Sequence, residues 1–211
     1  MITLYDCATA PSPRRARILL AEKGVPHTTV QVNLRAGEHM GEAYRLINPQ
    51  CTVPALRTEA GQVLTDNAAI AAYLEAAFPE PPLMGITPAE KAEVATWQWH
   101  AEFDGLLAVA EAFRNSSPAM VDRALPGTVN HAQIPALAER GRQRIAAFFD
   151  ALDARLAEQP YLATGRFSLA DITAAVAVDF ARIVKCVPDE ARHPNLLRWR
   201  AALAERPSMR V

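Results

Sequence analysis

A proline-rich segment divides this chain into two parts whose sequence patterns differ. Residues 79–88 contain four of the sixteen prolines, together with Gly85. Proline lacks a backbone N–H and restricts the residue before it, so such a segment is typical of a linker between domains. Strand and helix patterns alternate before it, whereas only helical patterns follow it. The sequence predicts a first domain over 1–78, a linker over 79–87 and a second domain over 88–211.

The first part predicts the element order β, α, β, α, β, β, α. A short apolar strand, Ile2–Tyr5, is interrupted after its end by Pro11 and Pro13, and a helix over Ala16–Lys23 ends at Gly24. The remaining elements are a strand at 27–32, a polar stretch with helical character, a two-stranded hairpin within 48–64 and an Ala-rich helix that opens at 66.

The second part predicts helices only. Each predicted helix has apolar residues at helical spacing and is bounded by Pro, Gly or Ser clusters. Together the two parts predict an α/β domain followed by an all-α domain. The predicted helices of the second part are 89–114, 136–158, 169–184 and 195–205.

Composition and charge exclude several classes of protein. The chain of 211 residues is 50% hydrophobic and 21% charged, with a formal net charge of −1, so it has enough apolar residues for a core and no basic surplus. A general nucleic-acid binder or membrane-surface protein is not expected. No stretch is apolar enough to span a membrane and no signal peptide is evident. We expect a soluble cytoplasmic protein with reduced cysteines, whose partner is a small molecule or another protein.

The common local motifs for metal or nucleotide chemistry are missing. The five histidines are scattered, and the three cysteines form no CxxC pair, so no metal site is expected. No glycine-rich phosphate loop and no GxSxG elbow occurs, which argues against a nucleotide cofactor and a serine-hydrolase triad.

Unlike these missing motifs, the segment 48–56 gives a positive indication of function. Pro54 lies in a strand-like stretch and has no N–H for a sheet ladder, so it belongs at a strand start or edge. A cis Val53–Pro54 bond would turn the backbone of Val53 outward, where its donor and acceptor can pair with an extended peptide. The alternative interpretation is an ordinary edge-strand proline.

A second signal lies at the start of the helix that follows. Asp66 and Asn67 stand where free N–H groups and the positive end of a helix dipole favour a carboxylate. The Asp66 side chain would suit an ammonium group. The alternative interpretation is a simple N-cap.

Taken together, these features resemble the glutathione S-transferase superfamily. The resemblance covers nearly the whole chain, and the stretch around 36–50 is most similar to theta, delta and zeta-type members. It implies a thioredoxin-like N-terminal domain, a C-terminal helical bundle, a homodimer and one glutathione per subunit. The stretches that carry it are 2–24, 33–56, 64–79, 167–178 and 195–209.

The resemblance implies a glutathione site. Val53, before the expected cis-Pro54, matches the backbone partner of the cysteinyl unit. Asp66 and Asn67 stand where the family usually has Glu or Gln followed by Ser, which holds the γ-glutamyl amine and carboxylate. The shorter Asp makes that contact longer or water-mediated. The glycyl carboxylate is assigned to His39, with Gln50 as a weaker neighbour and with the contact at Cys51 lost; the alternative for His39 is an exposed loop histidine.

The residue that activates the thiol departs from the family pattern. In Ser-type members a hydroxyl stands five residues before the first Arg of an RxR-like helix start, which here is Ala10. A hydroxyl that donates a hydrogen bond to the sulfur lowers its pKa. Ser12 and Thr9 flank the position, and Ser12 is preferred because helix N–H groups add to the stabilisation. Ser12 as a mere helix cap and a Cys-type role for Cys7 are the alternatives.

The resemblance also suggests where the second substrate binds. Trp97, His100, Asp104 and Phe113 are candidates for an apolar pocket, with ordinary packing as the alternative for each. Ser168 and Asp171 resemble a capping box, so Asp171 is expected to serve folding rather than catalysis.

The predicted function is a glutathione transferase of the EC 2.5.1.18 type, which conjugates the glutathione thiolate to an apolar electrophile in detoxification. Glutathione is the co-substrate, and neither metal nor nucleotide is expected. Two alternatives stay open. One is another glutathione chemistry on the same fold, such as an isomerase, a lyase or etherase, a dehalogenase or a disulfide reductase. The other is a non-catalytic glutathione-binding or interaction protein.

Overall fold

The computed structural model describes all residues from 1 to 211 and divides into two compact units. Unit 1 comprises residues 1–81 with 126–130 and 211, and unit 2 comprises residues 82–125 and 131–210. The chain therefore passes from unit 1 to unit 2 within the proline-rich segment.

Unit 1 is built on a mixed four-stranded sheet. The strands are β1 (Ile2–Asp6), β2 (His27–Gln31), β3 (Ala55–Arg57) and β4 (Val63–Leu64). Their order in the sheet is β2-β1-β3-β4. Strand β1 pairs with β2 in parallel, with Ile2 opposite His27, and with β3 in antiparallel, with Leu4 opposite Leu56. A hairpin joins β3 to β4.

The helices of unit 1 complete the predicted order of elements. They are α1 (Pro11–Glu22), the short α2 (Glu42–Arg45), which follows a 3-10 turn at Glu38–Met40, and α3 (Asn67–Ala77). The expected order β, α, β, α, β, β, α and the thioredoxin-like fold are thus confirmed.

One boundary in this order was predicted wrongly. Helix α1 begins at Pro11 and not at Ala16, because Pro11 and Pro13 form its first turn instead of interrupting the chain. The first turn of a helix needs no intrahelical N–H, and the fixed φ of proline suits it.

The inner strands β1 and β3 of the sheet are largely buried on both faces, whereas the edge strand β2 is mostly exposed. Leu4 and Leu56 are fully buried, as are Ile18 of α1 and Ile70 of α3, and these two helices pack against each other. Neighbouring strand residues point to opposite faces. On the face that Tyr5 occupies, a second apolar cluster is formed by Tyr5, Val32, Tyr44 and Ala55.

Unit 2 is helical throughout, as predicted. The helices are α4 (Pro88–His100), α5 (Leu107–Arg114), α6 (Pro135–Glu158), α7 (Leu169–Phe180) and α8 (Pro194–Ala204). Helices α4 and α5 run on without a break through a π-helical segment, Ala101–Leu106. A Cβ at Gly105 of this segment would stand 2.7 Å from the Phe148 ring, so the segment packs closely against α6. No helix of the structure is both long and apolar enough to cross a membrane.

Asp171 organises the core of unit 2, which confirms the predicted capping box. Its carboxylate accepts hydrogen bonds from the backbone and hydroxyl of Ser168 at the start of α7, from the backbone of Leu162 and from the Trp199 indole. Burial raises the pKa of Asp171 to about 6, although these hydrogen bonds oppose the shift. The residue holds three segments of the helical unit together.

Candidate functional site

The loop before β3 is held in place by side chains of unit 1. The buried Asn48 donates hydrogen bonds from Nδ2 to the Thr52 carbonyl at 2.8 Å and to Thr52 Oγ1 at 3.0 Å. The Tyr44 hydroxyl donates to the same carbonyl at 2.7 Å. Burial is the largest cause that raises the pKa of Tyr44, so this hydroxyl keeps its proton. These contacts fix the backbone that leads into Val53.

Val53 presents an unused backbone edge. The Val53–Pro54 bond is cis, as expected, and Pro54 is buried directly before β3. Neither the N–H nor the carbonyl of Val53 forms a hydrogen bond within the protein. Because a free donor and acceptor at a strand edge can pair with an extended chain, this position suits the backbone of a peptide ligand.

Asp66 acts as the N-cap of α3 through one of its two carboxylate oxygens. Its Oδ1 accepts a hydrogen bond from the Ala69 backbone at 2.8 Å, so the capping interpretation is correct for this oxygen. The other oxygen, Oδ2, has no partner within the protein and the residue is exposed. A carboxylate oxygen at this position is available to an ammonium group.

The Asn67 side chain contacts Ser12 instead of remaining open to a ligand. Its Nδ2 donates to Ser12 Oγ at 2.9 Å and to the Ser12 carbonyl at 3.1 Å. Both protons of the amide are therefore directed at Ser12. For the carboxylate that the family resemblance assigns here, Asn67 has its backbone N–H at the helix start left as a donor.

The Ser12 hydroxyl accepts hydrogen bonds within the protein and donates none. Ser12 Oγ accepts one hydrogen bond from Asn67 and a longer one, 3.4 Å, from the Arg15 guanidinium. A hydroxyl oxygen has two lone pairs, of which the Asn67 bond occupies one and the weaker Arg15 contact lies at the other, and the hydroxyl proton stays free to donate. Ser12 also carries the only backbone N–H among the first three residues of α1, because Pro11 and Pro13 have none. The helix start thus offers one backbone donor beside the hydroxyl, fewer than expected.

The two other thiol-activating candidates lie in the loop before α1. Thr9 is exposed, and its Oγ1 is 3.6 Å from the sulfur of Cys7, which is a free thiol. Ala10 is the N-cap of α1 and supplies no side-chain hydrogen bond. Of the residues near the position that Ala10 occupies, Ser12 alone has a hydroxyl oriented by charged and amide donors.

His39 and Gln50 differ in their surroundings. His39 is only 5% exposed within the 3-10 turn, so the alternative of an exposed loop histidine is wrong. Gln50 is exposed, and its backbone N–H is held by the Asn48 side chain. Cys51 is buried at a positive φ of 55° and its thiol lies against the Pro49 carbonyl, so it offers little to a ligand.

Three of the four second-substrate candidates line a groove in unit 2. This groove of about 280 Å³ lies between the α4 region and α6. Within it, His100 Nδ1 lies 2.8 Å from Asp104 Oδ2. Phe113 does not line it and packs instead edge-on against Phe180 at 6.1 Å. The lining residues are Trp97, His100, Asp104, Arg144, Ala147, Phe148 and Ala151.

The groove is electrostatically balanced. Arg144, its one guanidinium, is paired with Glu111 at 3.2 Å and lies 3.9 Å from Asp104. It also lies over the Phe103 ring at 4.7 Å. Glu111 also pairs with Arg140, so the two guanidinium groups and the two carboxylates of this cluster balance in charge. No group of three His, Cys, Asp or Glu side chains in the chain is arranged to hold a metal ion.

Two models of protein-family domains match this chain. The family model for the N-terminal domain of glutathione S-transferases matches residues 9–77, and that for the C-terminal domain matches residues 135–202. Glutathione S-transferase 2 of Saccharomyces cerevisiae is 33% identical over 98% of this chain and 87% of its own length.

A solved structure and a relative that matches part of the chain support the same family. The crystal structure of a glutathione S-transferase domain-containing protein from Marinobacter aquaeolei superimposes with a TM-score of 0.89 at 34% identity, over 98% of this chain and 99% of that one. A maleylacetoacetate isomerase of Pseudomonas aeruginosa is 41% identical over 91 residues, 42% of this chain and 43% of its own length. The chain therefore belongs to the glutathione S-transferase superfamily.

Proposed function

We propose that this chain is a glutathione S-transferase that joins the sulfur of glutathione to an electrophilic carbon of an apolar small molecule. The observation that carries the proposal is the Ser12 hydroxyl, whose oxygen is occupied by Asn67 and Arg15 so that its proton can be donated to a thiolate. A hydrogen bond to the charged form of an acid lowers its pKa. The thiol loses its proton to solvent, the thiolate forms the C–S bond, and the leaving group departs with its electron pair.

Unit 1 supplies the binding groups for glutathione in this proposal. The N–H and carbonyl of Val53 pair with the cysteinyl unit, since both are unused within the protein. Asp66 Oδ2 accepts from the γ-glutamyl ammonium, and the Asn67 N–H at the start of α3 donates to the adjacent carboxylate. His39 and Gln50 are assigned to the glycyl carboxylate.

The groove of unit 2 is proposed for the apolar second substrate. Trp97 and Phe148 provide aromatic surface, and the paired charge of Arg144 leaves no net attraction for an anion. We further propose a cytoplasmic homodimer, as the family resemblance implies. Light scattering of the purified chain measures the oligomeric state directly.

Binding at Asp66 is tested with two substitutions that separate its two roles. Asp66→Asn keeps a side chain that caps helices well and removes the negative charge, whereas Asp66→Ala removes both. The loss of a charge-assisted hydrogen bond is expected to weaken glutathione binding by about tenfold or more in both variants, measured by calorimetric titration. Only Asp66→Ala is expected to lower the unfolding temperature as well.

A matched control is the N-cap of another helix. Thr87 caps α4 in a complete capping box, so Thr87→Ala removes a cap of the same kind in unit 2. This variant is expected to lose stability and keep its affinity for glutathione. Wild-type affinity in Asp66→Asn would remove the carboxylate from the proposed site.

A second candidate function is an isomerase that uses glutathione on the same fold. The partial match to maleylacetoacetate isomerase favours it, as does a maleylpyruvate isomerase of Ralstonia that is 42% identical over 81 residues. The two reactions differ in what happens to glutathione. A transferase consumes one thiol for each product, whereas an isomerase returns the thiol, so titration of free thiol during turnover separates them.

A further inference from the structure

A buried carboxylate lies at the end of β1, directly before the loop that leads to Ser12. Asp6 is only 1% exposed. Its Oδ1 accepts from the Arg17 guanidinium at 2.5 Å, and its Oδ2 accepts from the Gln31 side-chain amide at 2.7 Å. A buried carboxylate is costly unless it is paired and hydrogen-bonded, and here both oxygens have partners. Asp6 thus ties α1 and β2 to the end of the central strand.

The two partners of Asp6 also hold the loop between β1 and α1. Arg17 donates to the Ala8 carbonyl at 3.1 Å and to the Cys7 carbonyl at 3.4 Å. Gln31 Oε1 accepts from the Ala8 N–H at 3.0 Å. Both backbone groups of Ala8 are therefore bound by side chains that are themselves fixed by one carboxylate.

Apart from the contacts of Arg17 and Gln31, few interactions fix the loop between β1 and α1. Ala8 and Thr9 are exposed, and the internal backbone bond of the loop runs from the Ala10 N–H to the Cys7 carbonyl at 2.9 Å. Exposed loops with few buried contacts are mobile. This loop ends at α1, whose second residue is Ser12, so a shift of the loop moves the hydroxyl that the proposed function uses.

We infer that Asp6, Arg17 and Gln31 form a clamp that positions the Ser12 hydroxyl for the glutathione sulfur. The three act as positioning residues, because they reach Ser12 only through the loop and α1. None of the three is among the residues proposed to bind glutathione. This inference rests on the proposed role of Ser12. The clamp therefore governs thiolate stabilisation and leaves glutathione affinity nearly unchanged.

The most specific test of the clamp is a substitution of Gln31. This residue is exposed, and its replacement leaves the Asp6–Arg17 ion pair in place. Gln31→Met keeps the length of the side chain and removes both hydrogen bonds. Since complete loss of the Ser12 hydroxyl sets the upper limit, we expect kcat/KM at neutral pH to fall by no more than about threefold. The dissociation constant for glutathione is expected to change by less than about twofold.

The matched control is Gln62→Met, the same change at an exposed glutamine of unit 1 whose side-chain amide forms no hydrogen bond. It is expected to behave as wild type. Arg17→Lys is a second variant: lysine can still pair with Asp6 but cannot reach both Asp6 and the loop carbonyls. The pKa of the thiol of bound glutathione, followed by thiolate absorbance, is expected to rise in both clamp variants.

The outcomes separate the clamp from the proposed function when Ser12→Ala is measured alongside. If Ser12→Ala raises the thiol pKa but Gln31→Met and Arg17→Lys do not, the clamp is refuted and the role of Ser12 stands. If Ser12→Ala has no effect, both are refuted. A loss of activity that only follows a loss of folded protein, with an unchanged thiol pKa, likewise contradicts positioning.

Discussion

Replacement of Ser12 by alanine is expected to raise the thiol pKa of bound glutathione. A hydrogen bond to a charged group contributes about 1.5 to 3 kcal/mol, and one pKa unit corresponds to about 1.4 kcal/mol. The Ser12 hydroxyl, whose proton stays free to donate, should therefore lower the thiol pKa of bound glutathione by about 1 to 2 units from a free value of about 8.5. In Ser12→Ala the pKa returns toward the free value.

The expected change in kcat/KM is smaller than the change in the fraction of glutathione that is present as thiolate. A pKa of about 7 in place of about 8.5 raises the thiolate fraction at pH 7 by about 15-fold. A less basic thiolate is a weaker nucleophile, with a Brønsted coefficient of about 0.4 to 0.5, which over this range costs about fivefold. We therefore expect Ser12→Ala to lower kcat/KM only about threefold at pH 7, to match wild type near pH 8 and to exceed it above.

The assay is the pH profile of kcat/KM for an uncharged electrophile, with the wild type, Ser12→Ala and Thr9→Ala measured together. Thr9 is exposed beside Cys7, and its replacement is expected to leave the profile unchanged. A Ser12→Ala profile that is lowered equally at every pH would refute thiolate stabilisation by this hydroxyl. A shift in Thr9→Ala alone would transfer the role to Thr9.

Two further predictions concern the stability of unit 2. A Cβ at Gly141 would lie 2.7 Å from the Ala112 nitrogen and 2.8 Å from the Ala108 carbonyl oxygen, so Gly141→Ala is expected to destabilise by about 2 kcal/mol in denaturant unfolding. No destabilisation would contradict this close approach of α5 and α6. The folded-state pKa of Asp171, raised to about 6, means that the folded protein binds a proton that the unfolded chain releases. The free energy of unfolding should thus fall by up to about 3 kcal/mol as the pH rises from about 4 to about 6, and Asp171→Asn should remove this slope.

The fold was predictable because its determinants are local in sequence. The apolar run of β1, the cap at Asp66 and the change of pattern at the proline-rich segment each indicate one element or boundary without reference to distant residues. The start of α1 was misplaced because two prolines resemble a break, although proline also suits a first helical turn. The π-helical segment at 101–106 had no evident sequence signal, since it accompanies the close packing of Gly105 on α6.

The site was only partly predictable, because its decisive contacts join residues far apart in sequence. Asp66 and Val53 could be named from local motifs, yet the hydrogen bond from Asn67 to Ser12 links α3 with α1. A polar residue after a helix cap does not reveal which distant hydroxyl it orients. Arg17 was visible as part of an RxR motif, but its attachment to the loop through Asp6 depends on the pairing of β1 with β2.

The most direct test of this account is the thiol pKa of glutathione bound to the wild-type chain, measured from thiolate absorbance across a pH titration at saturating protein. Glutathione is expected to bind, with a thiol pKa at least about one unit below that of free glutathione. Bound glutathione with an unshifted thiol pKa would show that Ser12 and the start of α1 do not stabilise the thiolate. An absence of binding would contradict the glutathione site itself.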